Sequence, residues 1–206
     1  MKVLIINGSP RKNGNTSMAI DEMVKVFDKN GIETEIVRIG NLDICGCRAC
    51  EGCHKTGRCV IDDIVNETAP KFEEADGMIV ASPVYYASPN GNIISFLDRL
   101  FFSTTFDKRM KVGAAACIAR RAGTTASCDV LNKYFLISGM PVAASRYWNV
   151  AFGAKQGEFS QDTEGLQIMR TLAENMTFLM KSIALGKEQF GLPEQDSNKI
   201  FTNFVR

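Results

Sequence analysis

Apolar residues fall along this chain in two alternating rhythms, short unbroken runs and longer stretches with a helical period. Residues 3–7 open with Val3-Leu4-Ile5-Ile6, a largely β-branched run suited to a strand buried on both faces. A polar, glycine-containing turn follows from Gly8 to Thr16. Met18, Met23, Val24, Val26 and Phe27 then recur in a helical stretch that Asn30-Gly31 ends. Glu33 to Ile39 alternates charged and apolar residues and reads as an edge strand. After a cysteine-rich loop, Asp62-Asp63 opens another helix, its carboxylates at the positive end of the dipole. Met78 to Ala81 predicts a third strand, running into a loop from Ser82 to Tyr86. Asn92 to Phe102 is helical, with Ile93, Phe96, Leu97 and Leu100 on one side. Val112 to Ile118 predicts a fourth strand, Ser127 to Ile137 a helix, and Val142 to Trp148 a fifth strand. Glu164 to Leu185 reads as a long amphipathic helix.

Strand and helix therefore alternate, which predicts an α/β fold with a parallel sheet covered by helices on both faces. Ligands of such sheets sit beyond the carboxyl ends of the strands. One domain is expected over residues 1–185, carrying a cysteine loop at 45–59, with a less regular extension over 186–206.

Charge adds an exclusion. With 24 basic and 23 acidic residues the net charge is +1, so no broad field points to nucleic acid or an anionic membrane. No apolar run is long enough to span a bilayer. The opening residues carry no leader-like pattern, and a cytoplasmic location is expected. Of seven cysteines, five crowd between Cys45 and Cys59, which in a reducing compartment points to metal or redox chemistry.

Two loops carry further candidate chemistry. Gly8-Ser9-Pro10-Arg11-Lys12-Asn13-Gly14-Asn15-Thr16 lies between the first strand and first helix. Unpaired N–H groups, hydroxyls and an arginine there suit a phosphate dianion. The plainer reading is a glycine turn with Asn15 or Thr16 capping the helix. The loop lacks the Gly-Lys-Ser/Thr of an ATPase. Ser82-Pro83-Val84-Tyr85-Tyr86-Ala87-Ser88-Pro89-Asn90-Gly91 follows the third strand at the same edge of the sheet. Its tyrosines and backbone N–H groups suit a flavin ring, or simply cover the core.

Together these loops resemble the NADPH-dependent FMN reductase family of the flavodoxin-like superfamily. The likeness extends through Leu97-Asp98-Arg99 and Arg120-Arg121-Ala122-Gly123. It implies a flavodoxin-like three-layer sandwich with a five-stranded parallel sheet in the order 2-1-3-4-5. It also implies a flavin-dependent oxidoreductase in which Ser9, Arg11, Asn15 and Thr16 hold the FMN phosphate. Pro83, Val84, Tyr85 and Tyr86 would hold the ring, and the segment from Arg121 to Gly123 would close its far side. No catalytic acid or base is assigned, because FMN itself would perform the redox chemistry. Asp98 and Arg99 are read as packing or ion-pairing residues.

Cys47-x2-Cys50-x2-Cys53-x5-Cys59 is the strongest local signal. Four thiols on one glycine-rich loop can wrap a metal centre, remain unligated redox thiols, or bind zinc. On this scaffold the motif resembles the iron–sulfur flavoproteins. That likeness implies a [4Fe–4S] cluster on Cys47, Cys50, Cys53 and Cys59, with Cys45 spare. Cys117 and Cys128 are expected to pack as small hydrophobes. The implied function passes electrons from a carrier such as ferredoxin through the cluster to FMN and a small acceptor. The alternatives are an NAD(P)H-dependent FMN or quinone reductase without a cluster, and a zinc-stabilised binding module without turnover. A homodimer or homotetramer is expected, with the apolar stretch from Phe101 to Phe106 as a subunit contact or as monomer core.

Overall fold

The computed structural model describes residues 1–196 together with Ile200, Thr202 and Phe204. Its strands are β1 (Lys2–Asn7), β2 (Glu33–Arg38), β3 (Gly77–Tyr85), β4 (Ser88–Pro89), β5 (Val112–Ala119) and β6 (Val150–Phe152). The helices are α1 (Asn15–Lys29), α2 (Cys53–Thr56), α3 (Ile64–Glu74), α4 (Gly91–Ser103), α5 (Thr124–Ile137) and α6 (Thr163–Phe190). The main sheet is parallel in the order β2-β1-β3-β5-β6, which is the expected 2-1-3-4-5 arrangement with β4 as an added antiparallel partner of β3.

The two faces divide the central strands by alternation. Val3, Ile5, Ile79, Ala81, Ala114 and Ala116 pack with Ile20, Met23 and Phe27 of α1 and Met169, Leu172 and Met176 of α6. Leu4, Ile6, Met78, Val80, Ala115 and Cys117 face Phe72 of α3, Phe96 and Leu100 of α4, and Leu131 and Phe135 of α5. Every position of β5 is buried, consistent with its unbroken apolar sequence. Of the Phe101–Phe106 stretch, Phe101 and Phe106 pack partly buried against this core. The Phe72 ring lies 5.3 Å from that of Phe101 and 5.2 Å from that of Phe106. Phe102 alone of these three rings is largely exposed.

Three elements depart from their sequence expectation. β3 does not stop at Ala81; Ser82 and Pro83 continue it, paired with Cys117 and Ile118 of β5. β1 has ended opposite Ala81, so β3 has lost one neighbour there and tolerates a proline. The last strand is Val150–Phe152, not Val142 to Trp148, and Val142 makes only a lone bridge to Gly113. Asn149 is the cause: it accepts from the Ser145 N–H and donates to the Ala143 carbonyl, tying the intervening residues into a loop. Trp148 is therefore left half-exposed, edge-on against Tyr147. Finally, α6 runs without a break past residue 185 to Phe190, and Gly191, at φ +74°, ends it. The expected boundary at 185/186 thus falls inside a helix. Residues 197–199, 201, 203 and 205–206 of the expected extension lie outside the described residues.

Helix and sheet meet closely at Gly113, where a Cβ would lie 2.4 Å from the Phe135 ring. Gly113→Ala is expected to cost about 1–3 kcal/mol by overpacking. Urea denaturation should show a lower midpoint with an unchanged slope. An unmoved midpoint would mean that Phe135 yields freely.

Candidate functional site

The chain leaves β1 toward β2 on one side and returns to place β3 on the other, so the order reverses between β1 and β3. The loops that follow these strands diverge to opposite faces and open a crevice between them. Gly8 N–H donates to the Ala81 carbonyl at 2.9 Å and stitches the two strand ends together. The loop after β1 is then braced by side chains. Asn7 accepts from the Ser9 N–H and donates to Ser17 Oγ, which donates to the Lys12 carbonyl. Arg38 from β2 donates to the same carbonyl and to Ser17.

This bracing leaves the start of α1 open. Its N-cap is Gly14, which supplies no side-chain cap, so neither Asn15 nor Thr16 caps the helix. The first-turn N–H groups and the positive helix end therefore face the crevice. Thr16 is 2% exposed, and its hydroxyl has no hydrogen-bond partner among the described residues. One pocket brings together Ser9, Arg11, Gly14, Asn15 and Thr16 with Pro83, Val84 and Tyr85. Its remaining wall is Ile118, Ala119, Arg120, Gly153 and Ala154.

Some of the expected residues play other parts. The Asn15 side chain is engaged away from the pocket: one Nδ2 hydrogen goes to the Lys155 carbonyl, and Oδ1 accepts from the Gly157 and Phe159 N–H groups. It fastens the segment that carries Gly153 and Ala154, and Asn15 itself lines the pocket. Tyr86 does not line the pocket; it projects into solvent from the tip of the β3–β4 hairpin. Tyr86 and Ala87 have φ of +50° and +59°, the backbone of a two-residue turn that normally recruits asparagine and glycine. Arg120, not Arg121, reaches the pocket. Gly123 packs on the hairpin tip instead, where at φ +86° a Cβ would lie 2.5 Å from the Ala87 Cα. The Gly153-Ala154 wall escaped sequence reading, because its link to Asn15 spans 140 positions and leaves no local pattern.

A second pocket is lined by Cys47, Cys50, Cys53 and Cys59, with Val60, Ile61, Phe102 and Arg99 among its walls. Cys45 lies outside it. The loop is strained: Ala49 and Glu51, on either side of Cys50, have φ of +50° and +56°. Such conformations cost roughly 1–2 kcal/mol each for residues with a Cβ. Glu51 is followed by Gly52 in the right-handed region, a handedness switch that turns successive N–H groups toward one concavity. Cys53 opens α2, and its thiol lies 3.9 Å from the Phe102 carbonyl. Cys59 is held at three points. Its N–H donates to Asn66 Oδ1, its carbonyl accepts from Asn66 Nδ2, and its sulfur accepts from Arg99 Nε at 3.3 Å. Among the described residues, no group of three or more His, Cys, Asp or Glu side chains converges as it would on one metal ion.

Arg99 and Asp98 are ion-pairing and packing residues, as expected. Asp98 accepts from the Tyr134 hydroxyl. Arg99 pairs with Asp63, which also caps α3 by accepting from the Val65 N–H. Burial opposes the Arg99 charge, but hydrogen bonds to Asp63 and Cys59 outweigh it and raise the guanidinium above its ordinary range. His54 is exposed beside the cysteine loop, its ring 5.1 Å from that of Phe102. Cys117 and Cys128 are buried in the core, and hydrogen bonding to Cys128 together with burial pushes the Cys117 thiol well up. No helix among the described residues is long and apolar enough to cross a membrane.

Residues 1–155 match the family model for NADPH-dependent FMN reductase. An iron–sulfur flavoprotein of Methanocaldococcus jannaschii is 32% identical over 191 residues, covering 89% of this chain and 99% of that protein. One of Methanosarcina thermophila is 31% identical over 194 residues, covering 92% and 100%. Among solved structures, RosB with a bound formylriboflavin phosphate superposes with a TM-score of 0.74 at 17% identity, over all of this chain and 92% of that one. An archaeal flavodoxin gives a TM-score of 0.58 at 14% identity, over 88% and 99%; these two likenesses concern the fold. The chain belongs to the NADPH-dependent FMN reductase family, among its iron–sulfur flavoproteins, and is a flavin-dependent oxidoreductase.

Proposed function

We propose that the pocket between β1 and β3 holds FMN and that Cys47, Cys50, Cys53 and Cys59 hold a [4Fe–4S] cluster. In this reading a reduced one-electron carrier of the ferredoxin kind is the donor, and a small molecule is the acceptor. The observation that carries it is the grouping of the residues. Seven of the ten expected flavin contacts share one pocket, and all four expected ligands share another. The names of the two archaeal relatives support both cofactors. When bound, FMN supplies exchange of one or two electrons, and the cluster exchange of one.

The protein's own contribution is placement. The uncapped N–H groups of α1, the Thr16 hydroxyl and Arg11 form the seat for a phosphate dianion. Pro83, Val84 and Tyr85 border the ring end, with Arg120 at the mouth. Asn15 keeps Gly153 and Ala154 against the opposite side. Around the cysteines, strain at Ala49 and Glu51 is tolerated where a bound centre compensates for it. The exposed tyrosines Tyr85 and Tyr86 beside the pocket fit an assembly of two or four copies in which a neighbour covers the flavin edge.

Iron, acid-labile sulfide, zinc and flavin should be measured on anaerobically purified protein. About four iron and four sulfide per FMN are expected. FMN without iron or sulfide, even after anaerobic reconstitution, would shift the assignment to a reductase working from NAD(P)H. Zinc without flavin would remove both. Cys50→Ala should lose iron and sulfide while retaining FMN; loss of both cofactors together would refute separate sites. Thr16→Val should weaken FMN binding about tenfold, the worth of one hydrogen bond to a charged group. Fluorescence titration of FMN into apoprotein would detect it, and unchanged affinity would place the phosphate elsewhere.

A further inference from the structure

Arg99 is the one charged side chain fully buried among the described residues, at 1% exposure. A buried guanidinium is tolerated only when its donors are satisfied and its charge is paired. Arg99 meets both conditions within a single stretch of chain. Nη1 and Nη2 grip Asp63 bidentately at 2.7 and 2.8 Å. The second donor of Nη2 goes to the Ile61 carbonyl at 3.0 Å, and that of Nη1 to the Cys45 carbonyl at 3.4 Å. The remaining donor, Nε, points at Cys59 Sγ at 3.3 Å. All five donors of the fork thus bind residues 45–63, and four go to oxygen. Asp63 pairs the charge, and the contact to sulfur satisfies the last donor while aiming it at a cysteine of the second pocket.

The rest of α4 explains how that contact is kept. Asn90, its N-cap, is tied by its N–H to Ser82 in β3, and Asn92 holds the Gly40 and Leu42 carbonyls. At the far end the Phe102 carbonyl meets the Cys53 thiol. Arg99 therefore projects from a helix fixed at both ends, and the loop closes on the arginine. A lysine could not substitute, because it lacks the planar fork that reaches a carboxylate and a sulfur at once.

We propose that Arg99 is a positioning residue that fixes Cys59 as the fourth thiolate ligand and raises the reduction potential of the centre held by the four cysteines. Asp63 partly offsets the effect. The inference rests on the cluster reading above. Its physical basis is that reduction adds negative charge to the centre. A guanidinium N–H directed at a ligand sulfur favours that added charge, and a carboxylate on the same guanidinium opposes it.

The test is an anaerobic redox titration of the holoprotein, following the cluster by electron paramagnetic resonance and FMN by absorbance. Two variants are compared with the parent. Arg99→Gln removes the charge and should lower the cluster potential. Asp63→Asn keeps a side chain able to cap α3, removes the opposing carboxylate, and should raise it. The FMN couple should stay put in both. Shifts of opposite sign support the proposal, since general loosening of the loop would move both variants the same way. Shifts of one sign, or none, overturn it while leaving the cluster assignment intact. If only one variant folds with cofactors bound, the direction of its shift decides. A parent protein that binds no iron or sulfide would instead overturn the cluster reading, and this inference with it.

Discussion

The parallel sheet imposes the constraint from which the rest follows. With helices packed on both faces, the backbone can reach a ligand only at the sheet's edge, where strand ends give way to loops. The reversal of strand order between β1 and β3 opens that edge at one place, and the Gly8–Ala81 hydrogen bond holds its two lips together. α1 departs to one face and α4 to the other. One helix brings its uncapped N-terminus to the crevice, and the other carries the framework of the crevice toward the cysteines. The two pockets are thus successive uses of a single topological feature.

Much of this was legible in the residues, and the exceptions share a cause. The apolar runs of β1 and β5 and the helical spacing of Ile93, Phe96, Leu97 and Leu100 are local signals written by burial, and they placed the layers correctly. The even cysteine spacing likewise marked residues that come to share a pocket. What stayed hidden depends on partners distant in sequence. Pro83 reads as a loop residue until the end of β1 is known to leave it unneighboured. Val142 to Trp148 has the apolar character of a strand, but Asn149 folds it away by two side-chain hydrogen bonds. Tyr86-Ala87 carries none of the usual chemistry of its turn, so only the backbone reveals the hairpin. Asn15 looked like a phosphate contact because it sits at the right helix end, whereas its amide is engaged 140 positions downstream.

Strain is distributed with the same logic. Left-handed residues other than glycine occur at Ala49 and Glu51 in the cysteine loop, at Tyr86 and Ala87 beside the first pocket, and at Met110. Four of these five flank the two pockets. Glycine takes such turns at Gly31, Gly139, Gly157 and Gly191, and also in the cysteine loop at Gly57 and against the hairpin at Gly123. Retaining side chains at those four places keeps the surrounding loops stiffer than glycine would, at a cost carried by the well-packed layers beneath.

The Asn15 clasp also has a bearing on the order of biosynthesis. Its partners, Lys155, Gly157 and Phe159, emerge from the ribosome long after the loop that follows β1. Until they do, the crevice lacks the wall that includes Gly153 and Ala154, and the α1 end of the pocket stands open to water. The pocket thus takes its final form only once most of the chain has been made, and β1 and α1 meet their last partners late.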